Sequence, residues 1–362
     1  MAFCGNCGKE QENGAVFCGN CGSKIEFINP VSIAPTPVSE KKKNNSTLIA
    51  CIISFAAVIV VAILIFGTNL FDDGAKPAEE ELVTSENSEE ASEEAMIPKP
   101  VRKEDPIDMD VINSIIASDA KGARISACII DLGTGNVYAT DNAYSRMSAS
   151  ALVNIPILYT ASKCISSGYD TWNSEVTFWY RYAGRGVIQA KQSGNDFSLD
   201  YLIRQMLRYS DNNASNSLMD YYSKGYIGDI CSQFGYNSVE LQKYVGESSN
   251  SRDNYISAVD AASMLAEMYS GKAGHAVTNQ YLTNNFVIED ANKRKGIGKN
   301  LPGGVTFLNH NGVTNSIYNE AGIVASPEAE YVMVVLCNGG TMDSSANTVA
   351  EISSYVYGAL SE

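Results

Sequence analysis

Residues 147–158 have the sequence MSASALVNIPIL, and they come directly after a predicted β-hairpin. In that hairpin Arg124–Asp131 alternates as a strand does, Gly133–Asn136 supplies the turn and Val137–Thr140 is the returning strand. From Ala151 onward the run is almost wholly apolar, which predicts a helix. The stretch therefore marks the place where the chain passes from its first strands to its helices.

The pattern around this stretch predicts one folded domain over residues 106–362, with nearly all the aromatic residues of the chain. Apolar residues at helical spacing predict a first helix near residues 107–116, capped by Asp108 or Asp110. Further helices are predicted at Asp200–Arg208, Asp260–Tyr269 and Thr348–Leu360, and further strands at Val305–Asn309, Ala321–Ala325 and Tyr331–Asn338. Strands at both ends with helices between them indicate an α+β fold whose antiparallel sheet joins sequence-distant pieces.

Residues 1–28 carry two Cys-x-x-Cys pairs, each followed by glycine: Cys4 with Cys7, and Cys18 with Cys21. Four thiolates at this spacing close a tetrahedral site with no open position, which predicts a structural zinc ion. The segment resembles the zinc ribbon at the N-terminus of many bacterial membrane proteins. Two redox-active dithiols are the alternative. Because the ribbon is not basic, we expect it to bind a cytoplasmic protein partner or to be purely structural.

Residues 48–66 form a run of 19 residues without charge or proline. As a helix the run is roughly 28 Å long, about the thickness of the hydrocarbon core, and it has no polar stripe. Residues 29–47 form a linker that ends in three lysines, whereas acidic residues follow the run. The positive-inside rule therefore predicts a single-pass membrane protein, with its N-terminus in the cytoplasm and its C-terminal domain outside the cell membrane.

Residues 67–105 are rich in Glu, Ser, Ala and Pro, which predicts a disordered acidic spacer. Of the formal net charge of −15, residues 72–110 carry −10, from 14 acidic and four basic residues. The low pI therefore describes the spacer rather than a binding surface. The acidic balance argues against nucleic acid as a partner, because phosphate binding needs clustered lysine and arginine.

Motifs in the C-terminal domain follow the order of a known family. Ser210-Asp211-Asn212 lies in a helical frame, residues 294–297 and 301–302 lead to the strand before His310-Asn311-Gly312, and Glu320 opens the next strand. In this order the domain resembles class A β-lactamases and related penicillin-recognising serine hydrolases, over about residues 122–357. The resemblance implies a β-lactamase/transpeptidase-like fold, with a five-stranded antiparallel sheet flanked by helices and a helical subdomain.

In that family a Ser-x-x-Lys motif opens the central helix, where the serine is acylated and the lysine helps to remove its proton. Aligned on the apolar run that follows, the serine position holds Ala151 and the lysine position holds Asn154. At the third motif, His310 and Asn311 replace the family's lysine and threonine, while Gly312 is kept. The family's Ω-loop glutamate is not identifiable, although Glu240 and Glu247 lie in the corresponding stretch.

Other residues are candidates to replace the missing serine and lysine. Ser150 is adjacent to Ala151, but one residue along a helix rotates the side chain by about 100°. Ser118-x-x-Lys121 matches the motif by chance, because it precedes the first strand, and Lys191 is a solvated charge. His310 is either a polar residue of the pocket strand or a contact for a substrate carboxylate.

Three functions are compatible with these residues. The first is a catalytically inactive domain that binds cell-wall peptide, a β-lactam-like ligand or a protein partner. The second is an active amide hydrolase that uses Ser150 as a shifted nucleophile, or a non-acyl mechanism with Ser210 and His310. The third is a structural envelope protein with a filled pocket. The ligand, the oligomeric state and the pairing of the outer cysteines (Cys128, Cys164, Cys231 and Cys337) stay open.

Overall fold

The computed structural model describes two residue pairs near the N-terminus and most of the C-terminal domain, namely residues 2–3, 10–11, 105–119, 122–182, 184–248, 252–271, 275–286 and 295–362. The predicted zinc ribbon cysteines, linker, membrane span and most of the acidic spacer lie outside these residues. Within the described part, no helix is long and apolar enough to cross a membrane. The same part contains no group of three His, Cys, Asp or Glu side chains arranged to hold a metal ion.

The strands of the N-terminal unit are β1 (Ala2–Phe3) and β2 (Glu10–Gln11), which pair antiparallel. The C-terminal unit contains nine described strands: β3 (Arg124–Asp131), β4 (Val137–Ala139), β5 (Met147–Ser148), β6 (Glu175–Thr177), β7 (Asp196–Ser198), β8 (Tyr255–Ile256), β9 (Thr306–Val313), β10 (Ile317–Ala325) and β11 (Glu330–Asn338). Five of them form the main antiparallel sheet, in the order β4-β3-β11-β10-β9.

Eight α-helices are described: α1 (Met109–Asp119), α2 (Asn154–Ser166), α3 (Leu199–Tyr209), α4 (Asn212–Tyr222), α5 (Lys224–Gln233), α6 (Ala258–Tyr269), α7 (Asn279–Asn285) and α8 (Met342–Ser361). The fold places α1 and α8 together on one face of the sheet and the helical subdomain on the other, each with its own apolar core. Helix α2 is buried from Asn154 to Cys164, as its apolar sequence predicts.

The sheet and its flanking helices confirm the predicted β-lactamase/transpeptidase-like architecture, although several element bounds differ from the sequence. Strand β9 continues to Val313 rather than stopping at Asn309, because its polar residues pair with β10 as part of the sheet. Helix α8 begins at Met342, where Thr341 Oγ1 accepts a hydrogen bond from Ser344 N at 3.2 Å. Asp108 caps α1, since its Oδ1 accepts from Asp110 N at 2.9 Å.

The cysteines of the C-terminal domain (Cys128, Cys164, Cys231 and Cys337) are not joined by disulfide bonds, and all four are buried. Cys128 packs in the core shared with the helical subdomain and Cys337 in the core beneath α8, so the sheet separates them. Burial raises the pKa of the Cys128 and Cys337 thiols to about 12. These thiols are therefore packing residues that stay protonated, rather than nucleophiles.

Candidate functional site

Hydrogen bonds to the backbone of Ser148 and Ala149 fix the segment that precedes α2. Asn338 Oδ1 accepts from Ser148 N at 2.8 Å, and Asn319 Nδ2 donates to Ser148 O at 2.7 Å. Ala149 N donates to Asn254 O at 2.8 Å. Because Asn319 and Asn338 lie on the buried strands β10 and β11, the sheet sets the position from which α2 starts.

Ser150 turns the chain from β5 into a 3₁₀ turn, Ser150–Val153, which leads directly into α2. Its φ of +47° lies in the left-handed region, a conformation that costs a non-glycine residue about 1–3 kcal/mol. Gly312 of β9 lies against this turn: a Cβ on Gly312 would be 2.6 Å from Ala151 N and 3.0 Å from Ser150 Cβ. The close approach of strand and turn therefore requires glycine at position 312.

A cleft of about 440 Å³ opens beside this turn, between the edge strand β9 and the helical subdomain. Its lining includes several residues that the sequence singled out, namely Ser150, Ala151, Ser210, Asn212 and Asn311. These come from the turn before α2, the loop between α3 and α4, and strand β9. The structure thus brings together the three segments that the motif order predicted to meet, around an open cleft rather than a filled one.

Asn154 lies beneath the cleft, with only 2% of its surface exposed. Its Oδ1 accepts a hydrogen bond from Ser215 Oγ at 2.8 Å, and its Nδ2 is 3.1 Å from His310 Nε2. An amide side chain does not ionise near neutral pH and is not a base. Asn154 therefore ties α2 to α4 and β9 without offering a base to the cleft.

His310 is also buried, with 3% of its surface exposed. Its Nε2 lies 3.2 Å from Ala151 O as well as 3.1 Å from the Asn154 amide. Burial lowers the pKa of His310 to about 4, even though the Ala151 carbonyl favours the protonated ring. The imidazole is therefore neutral at neutral pH and has no charge to offer a substrate carboxylate from β9.

Asp211 is fully buried and its carboxylate accepts four backbone hydrogen bonds. Its Oδ1 caps α4 by accepting from Asn213 N at 2.9 Å and Ala214 N at 3.0 Å. Its Oδ2 accepts from Val187 N at 2.5 Å and Ile188 N at 2.8 Å. Asp211 is thus the anchor of the Ser210-Asp211-Asn212 motif, while the residues on either side of it line the cleft.

Three serines line the cleft, and two of them, Ser150 and Ser210, have no base beside them. Among the residues that the structure describes, neither of these two makes a side-chain hydrogen bond. Activation of a serine needs a basic group within hydrogen-bond distance of its oxygen. The arrangement therefore offers hydroxyl groups that can hydrogen-bond a ligand, without the partner that would make either of them a nucleophile.

Residues 243–247, together with Asp253 and Asn254, form one wall of the cleft. Asn216 of α4 holds it by accepting from Val245 N at 2.8 Å and donating to Val245 O at 3.0 Å. Glu247 lines the cleft but is paired with Arg252 at 2.7 Å, whereas Glu240 lies outside the lining and is paired with Arg146. Glu240 is therefore outside the cleft, whereas Glu247 lies in its wall with one carboxylate oxygen paired to Arg252.

A polar cluster closes the same wall at its base. Asp253 accepts a hydrogen bond from Ser148 Oγ, and it pairs with Lys243 Nζ at 3.0 Å. Hydrogen bonds from Ser148 and Lys243 lower the pKa of Asp253 despite its partial burial. A carboxylate with a lowered pKa is a weak base, so Asp253 does not activate Ser148. The cluster instead attaches Lys243 and Asp253 to β5.

Outside the cleft, a serine, a histidine and a glutamate lie in contact on the far side of α2, as the residues of a hydrolase triad do. Ser162 Oγ is 3.1 Å from His275 Nδ1, and His275 Nε2 is 3.1 Å from Glu267 Oε1. Ser162 is fully buried, and its oxygen accepts from Val277 N at 3.0 Å. No substrate reaches that oxygen, so the group holds α2 against the segment that follows α6.

Two of the candidate substitutes lie elsewhere: Ser118 is on α1 and Lys191 is exposed, and neither lines the cleft. Sequence reasoning missed Arg185 and Lys243, which do line it. Arg185 lies between two glycines, a signal for close backbone packing that the sequence does contain. Lys243 has no such signal, because its pairing with Asp253 depends on the path of the whole segment.

The model of the β-lactamase enzyme family matches residues 109–360 of this chain. A search of curated proteins gave no match.

Three similar solved structures illustrate the shared fold. A β-lactamase from Sphaerobacter thermophilus is 18% identical, with a TM-score of 0.58, and the match covers 70% of this chain and 98% of that one. A PBP-A mutant, solved as an acyl-enzyme complex with penicillin G, is 16% identical, with a TM-score of 0.61 and coverage of 69% and 96%. An ancestral class A β-lactamase is 15% identical, with a TM-score of 0.60 and coverage of 68% and 99%.

Proposed function

Since this chain belongs to the β-lactamase enzyme family, we propose that its C-terminal domain is a non-acylating member that binds a β-lactam-like or cell-wall peptide ligand reversibly. One observation carries this proposal. The positions that the sequence assigns to the acylating pair hold Ala151 and buried Asn154. The cleft beside them is open, and the hydroxyls of Ser150 and Ser210 have no hydrogen-bond partner among the described residues.

Unpaired polar groups in an open cleft support binding rather than a structural role. Polar side chains that stabilise only the fold are paired within the protein, as Ser148 is with Asp253 and Asn154 is with Ser215. The hydroxyls of Ser150 and Ser210 have no such partner and can satisfy the amide and carbonyl groups of a ligand. A penicillin and a peptide share those groups.

We expect a fluorescent penicillin to bind the full chain without becoming attached to it. Loss of the nucleophile and of its base removes many orders of magnitude in rate, so no acyl adduct should form. Equilibrium fluorescence polarisation measures binding, and a denaturing gel measures covalent labelling. The expected result is a saturable polarisation change, competed by unlabelled penicillin, with no label on the gel.

Two results would overturn the proposal. Covalent labelling that disappears in Ser150→Ala would instead establish the alternative function, an active amide hydrolase with a shifted nucleophile. If the folded chain shows neither a polarisation change nor labelling, the cleft has no affinity for this class of ligand and the proposed binding function is wrong. The matched control is Ser118→Ala, which removes an exposed hydroxyl outside the cleft.

For the N-terminal region we propose a structural zinc site at Cys4, Cys7, Cys18 and Cys21 in the cytoplasm, joined through a membrane span at residues 48–66 to a C-terminal domain outside. The support is the sequence, namely the spacing of the thiols and the uncharged run. The purified full chain should contain about one zinc ion per molecule, measured by elemental analysis. Cys7→Ser should lose it, whereas Cys51→Ser should retain it; equal zinc content in both variants would rule the site out.

A further inference from the structure

The loop 184–188 is held tightly on the Ser210-Asp211-Asn212 motif. Asn212 N donates to Arg185 O at 2.9 Å, and Asn213 Nδ2 donates to Ile188 O at 2.8 Å. Together with the two bonds that Asp211 accepts from this loop, these contacts attach it to the start of α4. The loop therefore has a fixed position relative to the hydroxyl of Ser210.

Two glycines on either side of Arg185 make this close packing possible. A Cβ on Gly184 would be 2.2 Å from Asn212 Nδ2, and a Cβ on Gly186 would be 2.1 Å from Asp211 Cγ. Gly186 also has a φ of +129°, a backbone conformation that residues with a side chain rarely adopt. The backbone on both sides of Arg185 is thus pressed onto the motif, which sets the place from which its side chain extends.

Arg185 is exposed and lines the cleft. The other cation of the lining, Lys243, is paired with Asp253 at 3.0 Å, and His310 on β9 is neutral. Within the described ranges, Arg185 itself has no ion pair and no side-chain hydrogen bond. Among the lining residues, the unpaired positive charge therefore belongs to Arg185.

We propose that Arg185 recognises a carboxylate of the bound ligand, a role that rests on the binding function proposed above. A guanidinium presents two parallel N–H donors, which match a carboxylate in geometry as well as in charge. The unpaired Ser210 hydroxyl across the fixed loop then meets the polar groups beside that carboxylate. The domain recognises anionic ligands from the helical side of the cleft rather than from β9.

The test compares penicillin G, which carries a free carboxylate, with its methyl ester, using isothermal titration calorimetry on the full chain. The wild type should bind the acid about tenfold more tightly than the ester, the range expected for one charge-assisted contact in a partly solvated site. Arg185→Gln should weaken binding of the acid about tenfold and leave binding of the ester unchanged. Arg185→Lys should give an intermediate affinity for the acid.

Lys191→Gln is the matched control, because it removes the same charge from an exposed position outside the cleft; it should bind both compounds as the wild type does. Equal affinity of the wild type for acid and ester would overturn the role of Arg185 while the proposed binding function stands. If Arg185→Gln and Lys191→Gln weaken binding of the acid equally, the effect comes from the net charge of the protein, and the proposed role of Arg185 is also overturned. Absence of binding of either compound to the wild type would overturn both proposals.

Discussion

The double substitution Ala151→Ser with Asn154→Lys is expected to give a domain that forms a covalent adduct with penicillin. Position 151 lines the cleft, so a serine there can reach a ligand. The side chain of a lysine at position 154 would extend from a buried site next to Ser215 and His310. Burial lowers the pKa of a lysine, which makes its amine a base at neutral pH. Adduct formation with a fluorescent penicillin is measured on a denaturing gel.

Each single variant is a control for the double variant. Ala151→Ser alone has a nucleophile beside an amide, and Asn154→Lys alone has a base without a nucleophile. A positioned base typically contributes 10²–10⁴-fold, so the double variant should be labelled at least about a hundredfold faster than Ala151→Ser. A double variant that is folded but unlabelled would show that the register assigned to residues 147–158 is wrong, or that the neutral His310 obstructs the amine.

Asp211→Ala is expected to lower the free energy of unfolding by about 3–5 kcal/mol. Four backbone N–H groups would lose their acceptor, two at the start of α4 and two in the loop that carries Arg185. Each buried donor left without a partner costs about 1–3 kcal/mol, and the losses are not fully additive. Urea denaturation of the variant and the wild type measures the difference.

Asp229→Ala is the matched control, since Asp229 is an exposed carboxylate in the middle of α5, and its loss should change stability by less than about 0.5 kcal/mol. Asp211→Asn keeps one acceptor oxygen but presents a donor to two N–H groups, so its stability should lie between that of Asp211→Ala and the wild type. Equal stability of Asp211→Ala and Asp229→Ala would refute the anchoring role.

Much of the architecture could be predicted because its signals are local. The alternation of Arg124–Asp131, the apolar run after Ala151 and the amphipathic pattern of Asp260–Tyr269 each report how one segment is buried. These elements lie close to where the sequence placed them, and their order predicted one antiparallel sheet; the family resemblance implied its five strands. Local patterns failed where a polar run belongs to the sheet, as at the end of β9.

The burial, protonation and charge pairing of the residues around the cleft could not be predicted in the same way. The sequence shows that His310 replaces a lysine, but only packing against Asn154 and Ala151 makes it buried and neutral. The glycines beside Arg185 indicate close backbone packing, but they do not show that its charge is unpaired. Among the described residues that line the cleft, Arg185 is the cation without an ion pair, because Lys243 pairs with Asp253. Pairing of charges depends on distances between segments far apart in the chain, which no local pattern encodes.

The sequence by itself determined the family resemblance and the fold class, and it assigned Ala151 and Asn154 to the positions of the family's serine and lysine, because residue identity decides which chemistry a position can perform. The tertiary structure decided that the cleft beside Ala151 is open. It also decided that, among the described residues, Ser150 and Ser210 have no base beside them and Arg185 has no ion pair. The physical reason is that reactivity depends on side-chain identity, whereas availability depends on burial and pairing, which arise only when distant segments pack together.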